Sequence, residues 1–267
     1  MTTGGVRRVL LGVVGGCLAA YLAIIAALYF TQRSMIYPVP QISASIPDGY
    51  RRVSLQTADG LTLTALFRPP SGDQRVIVFF HGNGDNWDGA ALANRAIAEA
   101  GYGVLLCEYR GYSANPGTPG EAGFYADGRA ALAWLAGRGI GADRTVLAGN
   151  SIGSGPATQL AAEFQPAGLI LISGFTSLPD VVAGRLPWLP AQWLVRDKFE
   201  NREKIARLKI PILLLHGTED QLVPAAQAQA LQAANPAARL VLVPGFGHEL
   251  SYQPAAQALE RDWLDRL

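Results

Sequence analysis

Six short apolar runs, each followed by a polar or helix-length segment, constrain the fold of this chain more than any other feature. They are Arg75–Phe80, Gly103–Glu108, Thr145–Gly149, Gly168–Ser173, Ile210–His216 and Arg239–Val243. Each is too short for a helix and apolar at consecutive positions, the pattern of a strand buried on both faces. Segments of helical length occupy 88–100, 121–136, 152–164, 224–235 and 253–267. Strand and helix in alternation require right-handed crossovers and therefore a mostly parallel, doubly wound sheet, an α/β fold. Ahead of these runs, 51–56 and 61–67 alternate around Ala58-Asp59-Gly60, as a hairpin does, which brings the expected sheet to eight strands. The connection from Gly174 to Lys209 is anomalously long and carries Phe175, Leu178, Val181, Leu186, Trp188 and Trp193. It reads as a short cap segment over the core.

Val9 to Phe30 contains 22 residues and no charge. As a helix it rises about 33 Å, enough to cross a hydrocarbon core of ~30 Å. With Arg7 and Arg8 before it and Arg33 after it, residues 1–33 read as a single-pass membrane anchor, 34–49 as a connector containing Pro38, Pro40 and Pro47, and 50–267 as the catalytic domain. A cleaved signal peptide is the rival reading, but its apolar region spans only about 7 to 15 residues. Val14-Gly15-Gly16-Cys17 resembles a lipoprotein cleavage site, yet an apolar stretch follows the cysteine instead of a polar linker. Two arginines before the run against one after it place the N-terminus in the cytoplasm and the body on the outer (periplasmic) side.

Charge and histidine content exclude several functional classes. The 267 residues carry 22 Lys+Arg and 21 Asp+Glu. Since the first 35 residues hold three arginines and no acid, the remainder has 19 basic against 21 acidic residues. A nearly neutral body is not a nucleic-acid binder. Two cysteines make no disulfide framework, and three dispersed histidines lack metal-ligand spacing, so neither a metal nor a cofactor is expected. No G-x-G-x-x-G follows the first parallel strand.

Gly149-Asn150-Ser151-Ile152-Gly153 lies between a strand and a helix-length segment. A G-x-S-x-G pentapeptide there makes a sharp strand-to-helix turn that presents the Ser hydroxyl, with the following helix start supplying backbone N–H groups to a developing anion. A serine at its free pKa is a poor nucleophile and needs a neighbouring base, itself oriented by an acid. In folds with this elbow the chain order is Ser, acid, His. His248, in Gly245-Phe246-Gly247-His248, has Asp220 between itself and Ser151, and both follow strands by a few residues. Ser151, Asp220 and His248 are therefore the candidate triad, with Glu219 and Asp180 as alternative acids. His81-Gly82-Asn83-Gly84 follows the first parallel strand, where the N–H of Asn83 would join that of Ile152 in an oxyanion hole. His81 itself reads as a structural residue of that loop.

These residues resemble the α/β-hydrolase superfamily, and within it the N-terminally anchored subgroup of bacterial hydrolases and eukaryotic depalmitoylating serine hydrolases. The blocks FFHGNG, EYRGYS, GNSIG, HGTEDQLVP and GFGHE carry the resemblance from about Arg51 to Leu267. It implies an α/β-hydrolase fold with Ser151 as nucleophile, Asp220 as acid, His248 as base and Asn83 and Ile152 as oxyanion donors. Two departures stand out. Tyr109–Gly117 replaces a glycine-rich loop of the relatives, which is expected to alter a pocket wall. Pro156 falls early in the nucleophile helix and would remove a hydrogen bond if that helix began at Ile152.

The expected function is a membrane-anchored serine hydrolase of carboxylic esters or thioesters. A bilayer tether and the apolar 175–194 stretch suggest a small-molecule or acyl-chain substrate. The alternatives are a catalytically silent binding or scaffold protein on the same fold and a peptidase or amidase using the same triad.

Overall fold

The computed structural model describes residues 3–39 and 45–267; Pro40 and the rest of the 40–44 portion of the expected connector lie outside the described residues. Eight strands form one sheet: β1 (Arg51–Gln56), β2 (Thr62–Arg68), β3 (Val76–Phe80), β4 (Gly103–Cys107), β5 (Thr145–Asn150), β6 (Gly168–Ile172), β7 (Ile212–Gly217) and β8 (Arg239–Val243). Their order is β1-β2-β4-β3-β5-β6-β7-β8. Only β2 runs against its neighbours; β4, β3 and β5 to β8 are parallel. The order reverses between β3 and β5, where the crossovers diverge to opposite sides and leave a crevice at the carboxyl edge.

The helices are α1 (Thr3–Ile36), α2 (Trp87–Ala93), α3 (Arg95–Glu99), α4 (Glu121–Ala136), α5 (Ser154–Phe164), α6 (Leu178–Arg185), α7 (Ala191–Leu194), α8 (Asn201–Ile205), α9 (Ala226–Ala234) and α10 (Pro254–Leu264). Alternate side chains of β3 enter opposite layers. Val76, Val78 and Phe80 pack with α4, α5, α8 and α9, whereas Ile77 and Phe79 pack with α2, α3 and α10. That period of two, with both sets buried, explains the unbroken apolar runs.

Two helices differ from expectation. The segment 88–100 is two helices, interrupted at Asn94, whose Nδ2 donates to the Ala90 carbonyl while Gln257 of α10 accepts from the Ala96 N–H. A side chain from α10 thus replaces the helix's own bond, an interaction between distant segments. The first helix continues past the apolar run and past Arg33 to Ile36, so the expected connector begins inside it. Its 30 residues from Arg7 to Ile36 are long and apolar enough to cross a membrane, and none of the most apolar stretch is buried by the protein.

The end of α1 is fastened to the body. Arg33 donates from Nε and Nη2 to the two oxygens of Asp197 at 3.0 and 2.9 Å, and the buried Tyr37 hydroxyl donates to the same carboxylate at 3.0 Å. Gln32 brackets the end of α7, donating to the Leu194 carbonyl and accepting from the Arg196 N–H. Eleven residues before Gln32, within the apolar run, the Tyr21 hydroxyl donates to the Trp188 carbonyl.

Glu260 of α10 is fully buried, and neither carboxylate oxygen has a hydrogen-bond partner among the described residues. Burial alone pushes its carboxyl up to about 8. In the unfolded chain the group ionises near its ordinary ~4.3, so between these values the folded state holds a proton that the unfolded state has lost. Stability therefore falls as pH rises through this window, by about 5 kcal/mol in all. Urea unfolding of Glu260→Gln at pH 5 and pH 8 is expected to show equal midpoints, whereas the wild-type midpoint drops at pH 8.

Candidate active site

Four strand ends converge at the carboxyl edge. β3 leads into His81–Gly84, β5 into Ser151, β7 into Asp220 and β8 into His248. Pairing of Phe80 with Gly149 brings the first two together, and pairing of Gly217 with Val243 brings the last two together.

Ser151 sits at φ +53°, a left-handed conformation that a non-glycine residue adopts at a cost of roughly 1–2 kcal/mol. The flanking glycines permit the turn. A Cβ on Gly149 would run into the Gly153 carbonyl oxygen, and one on Gly153 would run into the Phe80 carbonyl oxygen. Both obstacles are backbone, so Gly153→Ala must push the elbow away from β3. A loss of about 3 kcal/mol is expected, to be checked by thermal melting. Ser151 opens a single turn of 3₁₀ helix, and α5 begins only at Ser154. Pro156 is then the third residue of α5, where an N–H has no intrahelical acceptor. The expected loss of a hydrogen bond does not arise.

The His248 ring bridges two groups. Its Nδ1 lies 2.7 Å from Asp220 Oδ2, and its Nε2 lies 2.9 Å from Ser151 Oγ. An ionised carboxylate only accepts, so Nδ1 carries the proton and Nε2 accepts from the serine hydroxyl. Asp220 is buried, and its other oxygen accepts from the N–H groups of Leu222 and Val223 at 2.9 and 2.8 Å. Burial pushes its carboxyl up, but hydrogen bonds from His216, His248 and the Val223 N–H outweigh this and hold it well below the usual carboxylate range. The His248 loop is fixed to the end of β7, with Thr218 N–H donating to Val243 and Glu219 N–H to Phe246. Glu219 is exposed. Asp180 accepts instead from Thr176 and Gln192.

An apolar cavity of about 140 Å³ adjoins Ser151, lined by Asn83, Ile152, Phe175, Leu178, Val181 and, from α1, Ile36. The structure thus brings all five expected site residues to one place. His81 lies beneath them, fully buried, with Nε2 3.3 Å from Glu108 and Nδ1 2.8 Å from the Gly82 carbonyl oxygen. Burial lowers the affinity of His81 for a proton, but the Glu108 carboxylate more than restores it. The Tyr109–Gly117 loop does not line this cavity, contrary to expectation. It is held away by the Arg110 pairs with Asp59 and Asp127, and it touches the site loop where the Tyr109 hydroxyl donates to the His81 carbonyl at 2.8 Å and the Tyr112 hydroxyl donates to Asn83 Oδ1 at 3.2 Å.

Two contributors were not anticipated from sequence. His216 donates from Nε2 to the Val223 carbonyl at 2.7 Å and lies 3.4 Å from Asp220 Oδ2, backing the acid from behind. Its spacing of four from Asp220 was the available signal. Ile36 had no such signal, because only the docking of α1 brings it to the cavity. Among the described residues no group of three or more His, Cys, Asp or Glu is placed to hold a metal ion.

Residues 75–194 match the family model described as alpha/beta hydrolase fold, and residues 197–255 match one described as serine aminopeptidase, S33. The chain is 39% identical over 234 residues to the uncharacterized protein Rv2307c of Mycobacterium tuberculosis, covering 84% of this chain and 83% of that protein. It is 30% identical over 270 residues to the alpha/beta hydrolase domain-containing protein WAV2 of Arabidopsis thaliana, covering 88% and 85% respectively. Among solved structures, an esterase of Pyrococcus furiosus, Pf2001, superposes with a TM-score of 0.68 at 18% identity, over 86% of this chain and 94% of the esterase. On this similarity, together with its eight-stranded sheet, the chain belongs to the α/β-hydrolase superfamily.

Proposed function

We propose that this protein is a serine hydrolase that cleaves carboxylic esters or thioesters through an acyl-enzyme and is held at a membrane by α1. The observation that carries this reading is the unbroken hydrogen-bond chain from Asp220 through His248 to Ser151 beside an apolar cavity. In the first half-reaction Ser151 Oγ attacks the acyl carbon and His248 Nε2 takes the hydroxyl proton. The bond from acyl carbon to the leaving oxygen or sulfur then breaks, and the leaving group takes that proton from His248. Water repeats the sequence: it gives a proton to His248, adds to the acyl carbon and releases the acid as the proton returns to Ser151 Oγ. Asp220 stays ionised throughout and stabilises the imidazolium. The N–H groups of Asn83 and Ile152 receive the oxyanion, a contribution of about 3 kcal/mol per donor. No metal or cofactor is required by this chemistry.

The charge pattern around α1 supports a cytoplasmic N-terminus with the catalytic body on the outer side. A second reading, amide cleavage by the same residues, is favoured by the serine aminopeptidase match over 197–255. The test uses the full chain in detergent micelles with p-nitrophenyl acetate, butyrate and palmitate, a palmitoyl thioester and leucine p-nitroanilide. Turnover of the esters or thioester, with fluorophosphonate labelling that maps to Ser151, is the expected result. Turnover of the anilide alone would favour the second reading. A folded chain that is neither labelled nor active would overturn both.

A further inference from the structure

The cap does more than cover Ser151. α6 and α7 face the last three turns of α1 across an apolar crevice of about 120 Å³, with Leu28, Tyr29 and Ile36 on one wall and Val182, Leu186 and Leu194 on the other. Almost none of the exposed lining is polar. Ile36 also lines the Ser151 cavity, so crevice and cavity meet at one side chain. The crevice's other end lies on Leu28 and Tyr29, inside the uncharged Val9–Phe30 run. Between Leu28 and Ile36 the helix rises about 12 Å.

The cap itself reaches farther into that run. Trp188 packs edge-on against Tyr21 with ring centroids 6.2 Å apart. Tyr21 lies nine residues before Phe30, or about 13 Å along the helix axis. A helix that crosses a bilayer over this run therefore carries the tip of the cap below the headgroups. The cap's surface suits that position: Trp193 is 87% exposed, and Trp188, although packed against Tyr21, keeps 49% of its surface open. The Arg33–Asp197–Tyr37 cluster keeps α1 against the cap, so the crevice is a built feature.

Neither space alone reaches the few hundred Å³ of an ordinary small-molecule pocket. Ile36 lines both, so an apolar path from the hydrocarbon-facing side of α1 to the nucleophile would run past this one side chain. We propose that the crevice between α1 and the cap is the acyl-chain site of this hydrolase, admitting the chain of a bilayer-resident long-chain acyl ester or thioester from the hydrocarbon directly to Ser151. This assignment rests on the hydrolase reading above and adds the substrate class and its route. An apolar chain gains about 0.8 kcal/mol per methylene on leaving water, but almost nothing on passing from lipid to an apolar crevice. A lateral route therefore keeps the chain out of water between bilayer and catalytic site.

The test uses the full chain in lipid nanodiscs with p-nitrophenyl palmitate and p-nitrophenyl acetate as substrates. Leu186→Trp and Leu28→Trp fill the crevice from opposite walls, away from Ser151. Each is expected to lower the palmitate-to-acetate ratio of kcat/KM at least tenfold. An unchanged ratio in both variants, with acetate still hydrolysed, overturns the acyl-chain site and leaves the hydrolase reading standing. A folded wild-type chain that hydrolyses neither these esters nor a palmitoyl thioester and takes no fluorophosphonate label overturns that reading and this assignment with it. Photolabelling by a palmitic acid bearing a terminal diazirine supplies a readout independent of turnover, even where a Trp variant fails to fold. In the Ser151→Ala chain, label in the peptides spanning 178–195, displaced by unlabelled palmitate, is expected. Undisplaced label spread along α1 alone overturns the proposal.

Discussion

Ser151→Ala is expected to lower kcat/KM for p-nitrophenyl esters by at least about 10⁴-fold. Among the described residues the hydroxyl is the hydrogen-bond partner of His248 Nε2, so its removal leaves the base with nothing to activate. What remains is binding and the oxyanion donors, which still exceed the reaction in water by about 10³- to 10⁴-fold. A merely structural serine would give a different pattern. The side chain's hydrogen bond is with His248, and a lost hydrogen bond is worth about 1 kcal/mol of stability, far below the predicted loss in rate. Thermal melting separates the two effects. A companion variant sharpens the contrast: Ser151→Gly relieves the left-handed strain at φ +53° and is expected to fold at least as stably as the wild type while remaining inactive. Ester hydrolysis that survives in Ser151→Ala to within tenfold of wild type would remove the serine from the mechanism.

Asp220→Asn is expected to cost about 10⁴-fold in kcat at neutral pH with the fold preserved. The reason lies in the two faces of the carboxylate. Oδ1 accepts from two backbone N–H groups, so in the variant the amide oxygen must take that place. The amide NH₂ then points at His248 Nδ1 and forces the imidazole proton onto Nε2, where it faces Ser151 Oγ and blocks proton abstraction. Geometry is kept and the tautomer is wrong. Because hydrogen bonds hold the Asp220 carboxyl far below its ordinary range, it remains ionised wherever the protein is folded near neutrality. The acid limb of log kcat against pH is therefore expected to have unit slope, with no second break from Asp220 above pH 4. The sign for stability is the same: the depressed group stabilises the folded state above its unfolded pKa, and this contribution is lost as pH falls through that value toward the lower folded one. A variant retaining more than a tenth of wild-type kcat would show that Asp220 does not orient the base.

The behaviour of these variants depends on features that the sequence displays unequally. Six of the eight strands were legible because each is short, apolar at consecutive positions and bounded by turn residues, and the other two because they alternate around Ala58-Asp59-Gly60, properties that belong to local chain chemistry. The elbow was legible because Gly149, Ser151 and Gly153 must be those residue types for the turn to close without backbone collision. The order of Ser151, Asp220 and His248 was legible because α/β topology delivers successive strand ends to one edge. Less visible was the break at Asn94, whose missing helical bond is supplied by Gln257 from a helix 161 residues away from Ala96. His216 behind Asp220 was only faintly marked, by its spacing of four from the acid, because the sequence of a strand does not say which neighbour a ring will meet.

By itself, then, the sequence determined the sheet, the elbow and an apolar helix long enough for a bilayer, because periodicity, turn chemistry and hydropathy are local. Only the tertiary structure decided where that helix goes. Arg33 and Tyr37 meet Asp197 across 164 and 160 residues of chain, and this pairing places Ile36 beside the serine. No local pattern encodes such a contact, since it depends on the summed geometry of every crossover between the two segments. The pocket wall contributed by α1 is thus a property of the folded molecule.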